Sequence, residues 1–288
     1  MYSIFDEKHI IEITKDSAQY PSEWKRLSGA PEKLYGVGDT ELLQTRKFTV
    51  VGSRRTAANT LKLTVQLARE LSAEFTLVTG TADGGDGAAI EGALQGTGKI
   101  ICVLAGGFSA LPQAQLPLLT QVAKRGLVLS PHPYDIPVRN FSYEFRNKLL
   151  ARLSVGALVV SAGETSGALI TAKYARRIGI PVFALPYAPN APTGVGCNRL
   201  IKEGACLAEC AEDIFRAFGI EKREKAAAVE LSADEEKLLQ AVRELSEGHI
   251  AALAERSGVP TYKARAVCAS LEVKGLIASI GGNRYAPV

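Results

Sequence analysis

Residues 48–56 read Phe-Thr-Val-Val-Gly-Ser-Arg-Arg-Thr. Phe48 to Val51 is a short apolar, β-branched run that suits a buried strand. Gly52 breaks it. From Ala57 the pattern turns helical, with Leu61, Val65, Leu67, Ala68 and Leu71 on one face. A strand that ends in glycine and feeds a helix creates an anion site, because the helix start offers unpaired amides and a positive dipole end. Arg54 and Arg55 at that mouth can grip a phosphate through paired N–H bonds. The same residues also fit a plain turn with solvated arginines.

Four further stretches carry chemistry. Thr79-Gly80-Thr81-Ala82-Asp83-Gly84-Gly85-Asp86-Gly87 lets a backbone approach a ligand, and Asp86 can cap the helix behind it. Leu104-Ala105-Gly106-Gly107-Phe108 is a third glycine loop. Ser161-Ala162-Gly163-Glu164-Thr165-Ser166-Gly167 precedes a helix that Ser166 and Gly167 open with N–H and hydroxyl donors. Thr171, one turn in, is expected to bond back to the Gly167 carbonyl. Phe141-Ser142-Tyr143-Glu144-Phe145-Arg146-Asn147-Lys148 interleaves rings with cations. Such a mixture binds single-stranded nucleic acid by stacking on bases and meeting phosphates, and it equally suits an amphipathic helix with core aromatics. Asn147, between cations, suits a role in orienting the neighbouring loop. No histidine adjoins a nucleophile in these loops, and His132 sits between two prolines. The Gly52 loop has neither dinucleotide nor P-loop spacing.

The elements that must position these loops alternate. Strands are expected at 48–51, 75–79, 99–104, 127–130, 156–161 and 181–185. Helices are expected near 57–73, 86–96, 113–125, 144–153, 167–178, 197–203 and 211–218. This alternation implies an α/β fold, a mostly parallel sheet with helices on both faces. Ligands of such sheets sit outside the carboxyl ends of the strands, where the loops lie. Residues 1–46 read as a lead-in, with a strand near Leu34–Asp39 and with Trp24 and Leu27 covering a flank of the core. The expected domains are this lead-in, a Rossmann-like domain over 47–218, a charged linker over 219–230 and a second unit over 231–288. That last unit has three helices and a hairpin about Gly281-Gly282-Asn283, a winged-helix pattern. Ser232 and Asp234 can cap its first helix.

With 47% apolar and 22% charged residues in 288, the composition is that of a soluble globular protein. The net charge of +4 lies wholly in residues 1–220, because 10 Lys/Arg balance 10 Asp/Glu from Glu221 onward. An anionic partner should therefore favour the first domain, and the neutral second one suits protein docking better than duplex binding. The five cysteines show no paired spacing, which points to reduced thiols in a cytoplasm and to no metal or cofactor. Neither a secretory signal nor a membrane span is expected.

These motifs in their order resemble the DNA-processing protein A family. The matching pieces are VGSR at 51–54, GGD at 84–86 with GAL at 92–94, RNK at 146–148 with LS at 153–154, SGALITA at 166–172 and GCNRLIKEGA at 196–205. The resemblance implies a Rossmann-like domain that binds single-stranded DNA, forms a homodimer and helps load the recombinase RecA during natural transformation, with no catalysis. It implies that Arg54, Arg146, Asn147 and Lys148 hold phosphates. It also implies that Gly52, Ser53, Ser166 and Gly167 line a pocket, that Tyr143 stacks on a base, and that Asn198 joins them. The chain departs from the family pattern at Thr79, Ile90, Pro131, Glu144, Lys148, Ser161 and Tyr187, changes expected to cluster around the pocket. Two other readings use the same residues. One is a nucleotide or nucleotide-sugar enzyme or sensor, although a PGGxGTxxE signature is absent from Gly163–Thr171. The other is an interaction module built on the winged helix.

Overall fold

The computed structural model describes residues 3–221 and 231–288, in two compact units that divide after Glu221. Most of the expected linker, 222–230, lies outside the described residues.

The first unit is built on nine strands. They are β1 (Ile11–Thr14), β2 (Lys33–Gly38), β3 (Lys47–Gly52), β4 (Thr76–Thr79), β5 (Ile100–Val103), β6 (Leu127–Ser130), β7 (Ala157–Ser161), β8 (Val182–Ala184) and β9 (Cys206–Leu207). Their order in the sheet is β1-β2-β6-β5-β4-β3-β7-β8-β9. The seven strands from β6 to β9 pair in parallel, whereas β1 and β2 add antiparallel to the edge beside β6. The lead-in therefore contributes two edge strands as well as a covering flank.

Side chains alternate across the sheet with a period of two. Val50, Leu77, Ile100 and Val160 face one layer, formed by α2 (Ala58–Leu71), α3 (Gly85–Gln95), α4 (Leu116–Arg125) and α8 (Ala211–Ala217). Val51, Val78, Ile101 and Val159 face the other, formed by α5 (Asn140–Leu153), α6 (Ala168–Arg177) and α7 (Val195–Lys202). Trp24, on the short α1 (Ser22–Lys25), is fully buried in this second layer, and its indole N–H donates to the Leu149 carbonyl at 3.1 Å.

The strand order runs outward from β3 in one direction and from β7 in the other. A crevice opens at such a reversal, between loops that leave in opposite directions. The loops after β3 and β7 are 53–57 and 162–167, so topology alone sets the glycine–arginine turn opposite the Ser166-Gly167 turn.

The second unit packs α9 (Ala233–Leu245), α10 (Ile250–Ser257) and α11 (Thr261–Val273) on a small sheet of β10 (Gly248–His249), β11 (Ile277–Gly281) and β12 (Arg284–Pro287), in the order β10-β12-β11. This is a winged helix. The Ser232 hydroxyl accepts the Glu235 amide at 3.3 Å, and Glu235 returns its carboxylate to the Ser232 amide at 2.7 Å. The other carboxylate oxygen accepts from Lys274 and from the Ser270 hydroxyl, each at 2.7 Å, which ties α9 to the end of α11. Lys274 foremost, then the Ser232 amide and the Ser270 hydroxyl, hold the Glu235 carboxyl down at about 2. A depressed native value stabilises the fold above the ordinary glutamate value and loses that stabilisation as pH falls toward 2. Glu235→Gln should therefore lower the stability of this unit at neutral pH. Its deficit against wild type should shrink as pH drops from about 4.5 toward 2, read by amide exchange of α9. A deficit independent of pH would contradict this.

Candidate nucleic-acid interface

The cleft at the β3/β7 reversal has a volume of about 420 Å³. Gly52, Ser53, Arg54 and Arg55 form one wall, Tyr143, Arg146 and Asn147 of α5 another, and Ser166, Gly167 and Thr171 a third. Eight of the ten residues expected to bind are thus brought together.

Close approach of backbones shapes the floor. A Cβ on Gly52 would stand 2.7 Å from Gly85 Cα, so the first and second loops meet only because both positions are glycine. A Cβ on Gly80 would overlap the Arg146 guanidinium and the Asp86 carboxylate. Asp86 does not act as the N-cap of α3, which is Gly84. Its carboxylate instead accepts the Gly52 amide at 3.2 Å and the Ala82 amide at 3.3 Å, which staples the first loop to the second. Ser161 does the same from β7. Its hydroxyl accepts the Ser53 amide at 2.9 Å and meets the Thr56 hydroxyl at 2.6 Å.

Arg146 is 6% exposed and is not a free cation. Its Nη1 stands 3.8 Å from Asp86 Oδ2 and 3.5 Å from the Val103 carbonyl, and its Nε–H is buried without a partner. The pair is loose and leaves donor capacity over. Burial pushes the Asp86 carboxyl up, against the opposing pull of Arg146 and the two amides. Burial also lowers the Arg146 value, against the pull of Asp86. Each charge is thus held at a desolvation cost. Arg54 and Arg55 are exposed at the rim. The guanidinium of Arg54 lies 5.2 Å from the centre of the Tyr143 ring, a cation–π contact. Three guanidiniums against one carboxylate leave the cleft positive.

Arg54, Tyr143 and Arg146 also line a second cavity of about 300 Å³, floored by Leu104, Ala105, Leu111 and Val138. The two spaces share a positive rim, and the second adds an apolar wall.

Several expectations fail on geometry. The first turn of α2, with Asn59 and Thr60, lines a separate cavity beside Tyr187, so the helix start at the Gly52 cleft is that of α6. Lys148 does not line the cleft. Tyr143, Arg146 and Asn147 share a helical face at i, i+3 and i+4, and Lys148 is turned by ~100° from Asn147. Its ammonium pairs with Glu144 at 3.1 Å and lies 4.9 Å from the Tyr174 ring centre. Asn198 is likewise elsewhere, because its amide clamps both backbone groups of Tyr187, at 3.0 and 2.8 Å. Asn147 lines the cleft but is buried, and it donates to the Gly167 carbonyl at 3.0 Å. That carbonyl also takes the Ile170 amide, and the Thr171 hydroxyl is left buried without a partner on the cleft wall. Two of the departures from the family pattern lie away from the cleft and a third supports it. Ile90 is buried in the layer of α2 and α3 and Tyr187 borders the separate cavity, whereas Ser161 braces a cleft loop.

A Rossmann-like sheet with a basic cleft at its strand reversal, followed by a winged helix, places the chain in a class of two-unit α/β proteins. The family model for DNA recombination-mediator protein A matches residues 12–219, and that for the DprA winged helix domain matches 222–283. The chain belongs to the DNA recombination-mediator protein A family. It is 35% identical to DNA processing protein DprA of Bacillus subtilis over 73% of this chain and 72% of that one. It is 30% identical to protein Smf of Escherichia coli over 94% and 76%. The X-ray structure of DprA from Streptococcus pneumoniae superposes with a TM-score of 0.69 at 32% identity, covering 74% of this chain and 75% of that one. The Helicobacter pylori protein, described with a single-stranded DNA binding mode, gives 0.66 at 29% identity, covering 73% and 95%. This is a DNA-processing protein by family. Among the described residues no helix is long and apolar enough to cross a membrane, and no His/Cys/Asp/Glu group could hold a metal ion.

Proposed function

We propose that the chain binds single-stranded DNA in the Arg54–Arg146 cleft, as a cytoplasmic binding protein and not as an enzyme. The observation that carries this is the buried Arg146, whose Nε–H has no partner, set between the exposed Arg54 and a carboxylate 3.8 Å away. A phosphate in the cleft would complete the donors of Arg146, draw Arg54 and Arg55, and meet the Ser53, Ser166 and Thr171 hydroxyls. The adjoining apolar cavity suits the base of the same or the next nucleotide, with Tyr143 as a stacking surface worth about 1–3 kcal/mol. Asp86 is occupied by two amides and Arg146, which favours a structural task over proton transfer. The single-strand binding described for the Helicobacter pylori relative supports the reading. Homodimer formation and the loading of a RecA-type recombinase on the bound strand belong to it through the family.

A salt titration of binding to matched single- and double-stranded oligonucleotides tests this. The single strand should bind more tightly at every salt concentration, with affinity falling as salt rises. Equal preference for duplex, or affinity indifferent to salt, would contradict the proposal. Nucleotide turnover by the wild type that Asp86→Ala abolishes would assign an enzyme instead.

A further inference from the structure

The outward face of α11 goes unused by the cleft and by the core of the second unit. Tyr262, Ala266, Ala269 and Val273 are all exposed, with Tyr262 at 80% and Val273 at 89%. Their spacing of four, three and four is that of the alternating d and a positions of a coiled-coil seam. The opposite face, Ala264, Cys268 and Leu271, is buried in the unit's own core. The helix is therefore apolar on two sides, one of them in water.

A nucleic-acid duplex is the poorer occupant of that seam, although Tyr262, Lys263 and Arg265 carry donors. Ala266, Ala269 and Val273 offer no donor to a base edge or a phosphate, and Glu272 lies beside them. A second copy of the same helix does fit. When two α11 helices run antiparallel about a two-fold axis, Tyr262 meets the partner's Val273 and Ala266 meets the partner's Ala269. Large side chains then cover the ends and alanines the centre, where the backbones can approach to the short end of the 8–10 Å range. On one flank of the seam stand Arg265 and Glu272, and the antiparallel pairing sets each beside its opposite charge on the partner. On the other flank Lys263, which stands 3.8 Å from Asp234 of its own chain, falls beside the partner's Ser270. A parallel pairing would instead put Tyr262 on the partner's Tyr262 and leave Arg265 beside the partner's Ser270. A two-fold contact of this kind is self-complementary.

We infer that α11 is a homotypic docking surface, through which the winged helices of two copies pair antiparallel along Tyr262, Ala266, Ala269 and Val273. Four layers make a small contact, so the pairing is weak and is caught best by a covalent trap. The inference does not depend on the cleft reading, because it concerns the second unit alone.

Cysteine cross-linking of the full chain tests it. Cys206 is exposed and Cys210 half-buried, and the other three cysteines are buried, so Cys206→Ser with Cys210→Ser gives the background. In that background, Ala266→Cys and Ala269→Cys chains are mixed and mildly oxidised. The mixed disulfide should form in excess of either like pair. Arg265→Glu should reduce its yield, and Glu272→Arg added to the same chain should restore it. No cross-link, like pairs forming as readily as the mixed one, or a yield indifferent to Arg265→Glu would overturn the pairing.

Discussion

Arg146→Met is expected to weaken single-stranded oligonucleotide binding by roughly 10- to 150-fold, the equivalent of about 1.5–3 kcal/mol for hydrogen bonds to a charged group. The stability cost is separate. In the wild type the guanidinium faces Asp86 at 3.8 Å, and both side chains are almost wholly buried. Removing one partner of a buried pair costs about 3–5 kcal/mol, because the other charge stays in the interior. The two effects come apart by pH. Burial already raises the Asp86 carboxyl, and Arg146 is the foremost group pulling it back. Without Arg146 the native value rises further above the unfolded one of about 3.9. A raised native value stabilises the fold below the unfolded value, and that contribution is lost as pH rises through the native one. Arg146→Met should thus recover stability in acid relative to wild type, in thermal melts taken across pH. Adding Asp86→Asn should restore the fold at neutral pH without restoring DNA binding. Full affinity in the folded Arg146→Met/Asp86→Asn chain would remove Arg146 from the interface.

Arg54→Ala should act on binding alone. Arg54 is exposed, and its neighbour is the Tyr143 ring 5.2 Å away, so thermal stability should stay near wild type. Affinity for a single strand should drop by roughly 10- to 100-fold when one charge-assisted bond to a phosphate is removed. The slope of log K against log salt should become shallower by about 0.7 for each phosphate that is no longer neutralised. Arg54→Lys should keep the slope and forfeit part of the affinity, because an ammonium carries the charge without the planar fork. Binding curves at several salt concentrations decide this. A variant with lower affinity but an unchanged slope would mean that Arg54 does not meet a phosphate.

The parts of this arrangement that follow from periodicity are legible in the chain. The apolar runs rich in Val and Leu at 48–51, 127–130 and 157–161 are buried on both sides, and such runs cannot hide in sequence. Ile11–Thr14 can, because four residues with only Ile13 buried make a faint alternation at an edge. Cys206–Leu207 is shorter still and exposed. The start of α5 lies at Asn140, before the expected 144, because the Ser142 hydroxyl accepts the Arg139 amide at 3.1 Å.

The walls of the cleft are legible and their wiring is not. Glycines and cations mark a loop without saying what holds it. Asp86 reads as a helix cap because it sits at a helix start, and only the tertiary fold sets the Gly52 amide before its carboxylate. Thr171 is placed by sequence to bond to Gly167, whose carbonyl is taken by Asn147, a residue 20 positions away. Lys148 looks equivalent to Arg146 in a basic run, although two residues along a helix turn a side chain to the far face. Ser161 stands out only as a departure from a family pattern, and its bond to the Ser53 amide makes it a brace of the arginine turn.

The most direct test watches the buried guanidinium itself. In the nitrogen–proton spectrum of arginine side chains, the Arg146 Nε–H should shift strongly on titration with a short single-stranded oligonucleotide, saturating with the measured affinity, and Arg146→Met assigns the signal. An Arg146 Nε–H that stays unmoved while the oligonucleotide binds to saturation would place the strand somewhere other than this cleft.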